Sequence, residues 1–160
     1  MMPVEMRRQD RKLTDEETLQ IIRQGEFGIL STVTPDRMPY AVPLSYAFDA
    51  EQCCLYFHGT NQDGQKIKNL LAQPDACFTI VSHTELMPER FATKYWSANV
   101  FGTVLNVNED AEKRKGLALI LKKYSPEHLE QGEKYIDGAI HRVRVMKMKI
   151  ESMTGKARKK

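Results

Sequence analysis

The sequence has no apolar run near the roughly 20 residues that a membrane-spanning helix needs, so no membrane partner is expected. Residues Met1 to Lys12 are polar and charged, unlike the apolar centre of a secretory signal, which makes the cytoplasm the default location. Cysteine is scarce: Cys53, Cys54 and Cys77 are odd in number and two are adjacent, which argues against a disulfide framework and for buried free thiols in strand-like surroundings. His58, His83, His128 and His141 are widely separated, no zinc-type spacing occurs, and nothing sets a cysteine beside an activating base, so neither a metal nor a catalytic thiol is expected. There is no Walker motif, no repeat and no low-complexity segment. The net charge is only +3. Basic residues crowd only at the two polar ends, 1–12 and 154–160, which read as solvated and free of stacking aromatics, so nucleic acid is not an expected partner.

What is present fits one soluble domain over residues 1–160, with 41% hydrophobic and 28% charged residues. Thr14-Asp15-Glu16-Glu17 is a capping box; it opens a helix with an apolar stripe of Leu19, Ile21 and Ile22, ended by Gly25. Strands are predicted at Phe27 to Val33, at Met38 to Phe48 beyond the turn Thr34 to Arg37, and at Cys53 to Phe57, ending in His58-Gly59. Pro39 and Pro43 each remove a ladder donor from the second of these. A polar loop, Thr60 to Gln65, leads to a helix carrying Lys66, Ile67, Leu70 and Leu71 and closed by Pro74. Ala76 to Val81 and Trp96 to Val107 follow as strands, the latter with a bulge or close approach at Gly102. Asn108 is positioned to cap a helix over Glu109 to Tyr124, and Ser125-Pro126 opens a shorter one. Ala139 to Ile150 alternates as a half-exposed strand with a register slip near Val145-Met146. Short connections make the sheet antiparallel, and about six strands in this length suit a closed or nearly closed barrel.

The stretch from Leu55 to Leu71 carries the chemistry. A strand, a glycine-containing loop and a helix start with Lys66 in its first turn form an anion site suited to a phosphate; the alternative is a solvated surface lysine. His58, with no second ligand, reads first as a hydrogen-bonded structural histidine.

Several stretches, in order, resemble one family. They are Arg7-Arg8-Gln9-Asp10-Arg11; Pro39-Tyr40-Ala41-Val42-Pro43-Leu44-Ser45-Tyr46; Leu55-Tyr56-Phe57-His58-Gly59 with Gly64-Gln65-Lys66-Ile67; Tyr95 to Gly102; and Thr154-Gly155-Lys156. Together they resemble the nitroimidazole-resistance branch of the pyridoxamine 5′-phosphate oxidase-like proteins over nearly the whole chain. The resemblance implies a mainly β fold with helices: a six-stranded antiparallel split β-barrel flanked by α-helices. It implies a homodimer with FMN at the interface, FAD or haem standing behind FMN. It implies that Val42, Pro43, Leu44 and Ser45 run beside the flavin ring and that Phe57, His58 and Gly59 flank the ribityl chain and ring. Gly64 and Lys66 would meet the phosphate, while Trp96, Ser97, Asn99 and Val100 line the site, partly from the partner. Gly64-Gln65 stands where oxidase-type relatives carry arginines or a serine, which points away from vitamin oxidase activity. The first function to expect is a flavin-dependent oxidoreductase passing electrons from a reduced nicotinamide to a small electron-poor acceptor such as a nitroaromatic. A non-catalytic flavin or haem carrier with His58 as axial ligand, and a binding module without cofactor, are the alternatives. The strand Val100 to Val107 is the candidate dimer interface.

Overall fold

The computed structural model describes residues 5–160; of the polar N-terminal stretch, residues 1–4 lie outside the described residues. Helix α1 (Asp15–Gln24) starts at the expected capping box: the Glu17 amide donates to Thr14 Oγ1 at 3.2 Å, and the Thr14 amide donates to the Glu17 carboxylate at 2.9 Å. Seven strands follow in one antiparallel sheet: β1 (Gly28–Val33), β2 (Pro39–Leu44), β3 (Ala47–Asp49), β4 (Cys54–Thr60), β5 (Asp75–Met87), β6 (Ala92–Val107) and β7 (Val143–Arg158). Helix α2 (Gln65–Ala72) lies between β4 and β5; α3 (Asp110–Tyr124) and α4 (Leu129–Ala139) lie between β6 and β7.

The strand order is β2-β1-β5-β6-β7-β4-β3. The two edge strands, β2 and β3, are therefore consecutive in the chain, joined only by Ser45-Tyr46. So short a connection spans only about 10 Å at 3.3–3.6 Å per residue, so the sheet must curl until its edges approach. The result is a split barrel, closed by chain continuity and not by a ladder. One predicted strand, Met38 to Phe48, thus becomes two, and the strand count is seven instead of six.

The barrel interior holds Leu30, Phe57, Phe78, Ile80, Val100, Met146 and Met148, all at or below 1% exposure, with Ile21 and Ile22 of α1. Phe78 meets Tyr46 and Phe57 edge-on, with centroids 5.0 and 4.9 Å apart, contacts worth about 0.5–1.5 kcal/mol each beyond their area. Tyr46 donates its hydroxyl to the Ile22 carbonyl at 2.6 Å, fastening α1 across the barrel end. A second core lies on the outer side of β4 and β7, where Tyr56 and Val145 pack under Leu117, Ile120 and Ile136 of α3 and α4.

That second core corrects the expected slip at Val145-Met146. Val145 faces the helices and Met146 the barrel, so both sides of β7 are dry there and no residue is inserted. The true irregularity is at Glu151, which bulges opposite Phe101-Gly102. A Cβ on Gly102 would overlap the Lys149 carbonyl, so the strands approach there as only glycine permits.

Three further expectations change. The C-terminal residues from 154 are no solvated tail: β7 pairs with β6 through Arg158 opposite Tyr95, and the Leu13 amide donates to the Gly155 carbonyl at 3.0 Å. Strands β5 and β6 also run past Val81 and before Trp96 as a polar hairpin, held in part by Lys94 to Glu85 at 2.9 Å. Helix α3 starts at Asp110 with Glu109 as its N-cap and no side-chain cap, so Asn108 does not serve. Of the cysteines, Cys54 is buried, Cys77 is half-buried, and Cys53 sits exposed in a turn at φ 48°.

Candidate functional site

The corner after β4 is built from the register of β4 on β7, which sets His58 opposite Val145 and Gly59 opposite Arg144. From there Arg144 reaches the following loop, donating to Asp63 Oδ1 at 2.7 Å and to the Asn61 carbonyl at 3.2 Å. Asn61 in turn donates to the His141 carbonyl at 3.0 Å. The second terminal nitrogen of Arg144 is buried and has no hydrogen-bond partner among the described residues. Such an orphaned donor costs about 1–3 kcal/mol, more when charged, unless a ligand takes it.

The loop delivers Gly64 as the N-cap of α2, with no side chain capping the helix start. The free amides of that first turn and the positive end of the helix dipole are left available to an anion. Lys66 is half-buried in the same turn. A Cβ on Gly59 or on Gly64 would have no atom within 4 Å, so open space lies over the backbone of both. The helix is fixed to the sheet by a relay: Gln65 donates to Asn69 at 2.7 Å, buried Asn69 to Thr32 at 2.9 Å, and Thr32 to the Tyr40 carbonyl at 3.3 Å. Thus α2 is tied to β1 and β2, and the edge strand β2 belongs to the same side of the barrel. In β2, Val42 and Leu44 turn towards the core, while Pro43 and the following Ser45 are exposed.

His58 stands at the mouth of an apolar recess of about 350 Å³ between β4, α3 and α4, walled by Leu117, Ile120, Leu121, Tyr135 and Ile136. Its side chain reaches solvent, yet the surrounding walls desolvate the ring and hold its pKa below the usual 6.5. At neutral pH it is an uncharged imidazole with one N–H to donate.

The β6 residues point three ways. Val100 is fully buried in the core, as is Phe57 of β4, so neither side chain is free to touch a ligand. Ser97 and Asn99 lie on the outer face of the sheet, Asn99 accepting from Thr79 at 2.8 Å. Trp96 packs edge-on to His83 at 5.1 Å and lines a cavity of about 400 Å³ against α1. That cavity shares no lining residue with the recess at His58. Within one chain, the structure brings together the residues of β4 and α2 and ties β2 to them; those of β6 stand apart.

The profile of one protein family, described as pyridoxamine 5′-phosphate oxidase, matches residues 14–157. This chain belongs to the pyridoxamine 5′-phosphate oxidase family. Among solved structures it is similar to a Bacteroides thetaiotaomicron protein assigned to 5-nitroimidazole antibiotic resistance: 25% identity, TM-score 0.77, covering 91% of this chain and 86% of that one. The flavocytochrome Anf3 of Azotobacter vinelandii aligns at TM-score 0.82 and 18% identity, covering 98% and 73% of the two chains. An FAD- and haem-binding protein of Mycobacterium smegmatis aligns at 0.79 and 16%, covering 94% and 74%. At those identities the last two share the fold. A comparison with curated proteins finds no match.

All thirteen residues expected at the site fall inside the span matched by the oxidase family. Sequence reasoning missed Arg144. It reads as one of the solvated basic positions of an alternating strand, but its side chain is only 18% exposed. The signal available was its place near the start of the last strand; that this strand pairs with β4 is not written in the sequence. Among the described residues, no group of three His, Cys, Asp or Glu side chains is placed to hold a metal ion. Among the described residues, no helix is long and apolar enough to cross a membrane.

Proposed function

We propose that this chain binds a flavin as FMN and serves as a flavin-dependent oxidoreductase for a small electron-poor acceptor, working as a homodimer. The observation that carries the reading is the corner at Gly59 to Lys66: open backbone, an uncapped helix start, a lysine in its first turn and an arginine nearby with an unused donor. That donor set suits a terminal phosphate, which makes charge-assisted bonds to amides and cations. The protein names of the structural neighbours include flavin and haem binding, which supports the choice of cofactor class. When bound, the flavin supplies the electron transfer, so no protein acid or base is obligatory.

The chain's own residues hold and orient. Lys66 and Arg144 neutralise the phosphate, and Pro43 and Ser45 present an exposed edge with one amide fewer to a flat ring. The recess behind His58 supplies apolar walls and one neutral N–H, a combination suited to an uncharged planar acceptor. The outer face of β1, β5 and β6, with Ser31, Thr79, Asn99 and Phe101, carries no packed helix and is the surface for a second copy. Of the strand proposed as interface, Val100, Val104 and Val107 are buried in their own chain, so the outward residues would make that contact. The neutral His58 at an apolar recess also favours a second reading, axial ligation of haem.

Fluorescence titration of the purified protein with FMN tests the reading; saturable quenching is expected. A Soret band without a flavin band selects the second reading, and absence of both overturns the two together. A monomer mass by light scattering at micromolar concentration overturns the dimer.

A further inference from the structure

The two basic ends of the chain, far apart in sequence, form one surface. Residues 7–12 and 156–160 hold eight of the 24 cations and one of the 21 acids, a local charge of +7 against −4 for the rest of the molecule. They are not loose. Lys12 bridges to Lys156, the Leu13 amide bonds to the Gly155 carbonyl, and β7 stays paired through Arg158. Arg8, Arg11, Lys12, Arg158, Lys159 and Lys160 thereby line one cleft of about 400 Å³, with Asp10 as its sole acid.

Two of these cations are answered: Arg8 by Asp10 at 2.5 Å and Lys159 by Glu17 at 2.8 Å. Arg158 donates through Nε to the Lys160 main-chain oxygen at 3.1 Å, which leaves Arg11, Lys12 and Lys160 with no carboxylate partner among the described residues. Tyr95 is wedged beside them, its hydroxyl 3.4 Å from Arg11 and its ring 5.7 Å from Lys156. Partial burial alone would raise the Tyr95 pKa; hydrogen bonds to Arg11 and Lys156 bring it below the usual 10 instead. Strand pairing thus forces like charges together at a cost in self-repulsion, which a bound polyanion would relieve.

We propose that this cleft binds the diphosphate group of a nucleotide. It is a concavity and not an extended stripe, which suits a small polyanion better than a nucleic-acid backbone. Three unanswered cations, with Arg158 beside them, exceed in so small a space what one phosphate monoester needs. This site is distinct from the corner at Lys66, and neither proposal requires the other. Two sources share the chemistry: a free nucleotide, such as the reduced dinucleotide that would feed electrons to a flavin, and the adenylyl half of FAD.

The test uses the full-length chain and its Arg11→Gln/Arg158→Gln variant, titrated calorimetrically at low salt with inorganic pyrophosphate, ADP, NADPH, FAD and FMN. Expected are saturable binding of pyrophosphate, ADP and NADPH that weakens as salt is added, and about tenfold or greater loss in the variant. FMN affinity and melting temperature should not change. In the variant, loss of FAD together with ADP and pyrophosphate, FMN unchanged, assigns the cleft to the adenylyl half; loss of NADPH together with ADP and pyrophosphate, FAD and FMN unchanged, assigns it to a free dinucleotide. The proposal is overturned if neither pyrophosphate nor ADP binds, if the variant binds them equally well, or if the variant loses FMN and ADP alike. Binding of single-stranded oligonucleotide with affinity rising with length, and none of ADP, overturns it in favour of nucleic acid. Loss of FMN binding by the wild type with ADP binding intact counts against the flavin proposal alone.

Discussion

Two corners of this barrel are built alike and differ in what surrounds their glycines. Each sets a motif glycine near the start of a helix: Gly155 beside α1, and Gly59 with Gly64 before α2. At the first corner everything is filled. Thr14 and Glu17 cap α1 reciprocally, the Gly155 carbonyl accepts from Leu13, and a Cβ on Gly155 would overlap Thr18. At the second the helix start and the space over the glycines are left open. No side chain caps α2, both glycines face open space, and Arg144 keeps a buried donor without partner. A glycine beside a helix start thus serves packing where its surroundings close on it and binding where they stay open. The deciding quantity is whether polar groups and volume are already satisfied.

Substitutions that add a methyl group separate the two cases. The largest effect is expected at Gly102, whose Cβ would strike backbone that cannot move aside. Gly102→Ala should cost about 3 kcal/mol or more and lower the melting temperature by roughly 6–12 °C, as calorimetry would show. Gly155→Ala meets the Thr18 side chain, which can partly adjust, and should cost about 1–3 kcal/mol. Gly59→Ala should leave the melting temperature of the flavin-free protein unchanged while weakening FMN. Equal melting losses at Gly59 and Gly155 would erase the comparison.

The helix starts differ in the same sense. Thr14→Ala removes a cap already in use and should cost about 1 kcal/mol without touching flavin affinity, which denaturant titration and a parallel FMN titration would establish. A smaller effect concerns Lys123, whose ammonium lies 3.5 Å from the Tyr46 ring centroid with no hydrogen-bond partner among the described residues. Burial lowers its pKa to about 8. Between that value and its ordinary 10.5 the unfolded chain holds a proton that the folded chain has released. Stability contributed here therefore rises with pH from about 8 to 10.5, and Lys123→Met should flatten that rise in melting curves taken across the window.

Much of the fold was legible because local chemistry and final structure agree. The capping box, the Gly25 stop and the glycine-forced approach at Gly102 each act within a few residues or through one obligatory property. The loop and helix from Gly59 to Lys66 were legible for the same reason. What escaped depends on partners distant in sequence. The hairpin extension from Ser82 to Tyr95 is polar and reads as loop, since its stability comes from pairing across the turn. The C-terminal residues read as a charged tail, since their pairing with β6 is invisible locally. The doubled burial at Val145 and Met146 mimics a slip because alternation assumes one wet face. Arg144 was hidden for the same cause: its neighbour Gly59 lies 85 positions away.

The claim at the centre is that the α2 corner holds a phosphate, and the ratio of FMN to riboflavin affinity in the wild type, Lys66→Ala and Arg144→Ala reads it directly. Each substitution should weaken FMN about ten- to hundredfold, the equivalent of the roughly 1.5–3 kcal/mol of a charged hydrogen bond. Riboflavin, which lacks the phosphate, should bind all three proteins alike. Equal loss of both ligands, or of neither, would contradict the assignment.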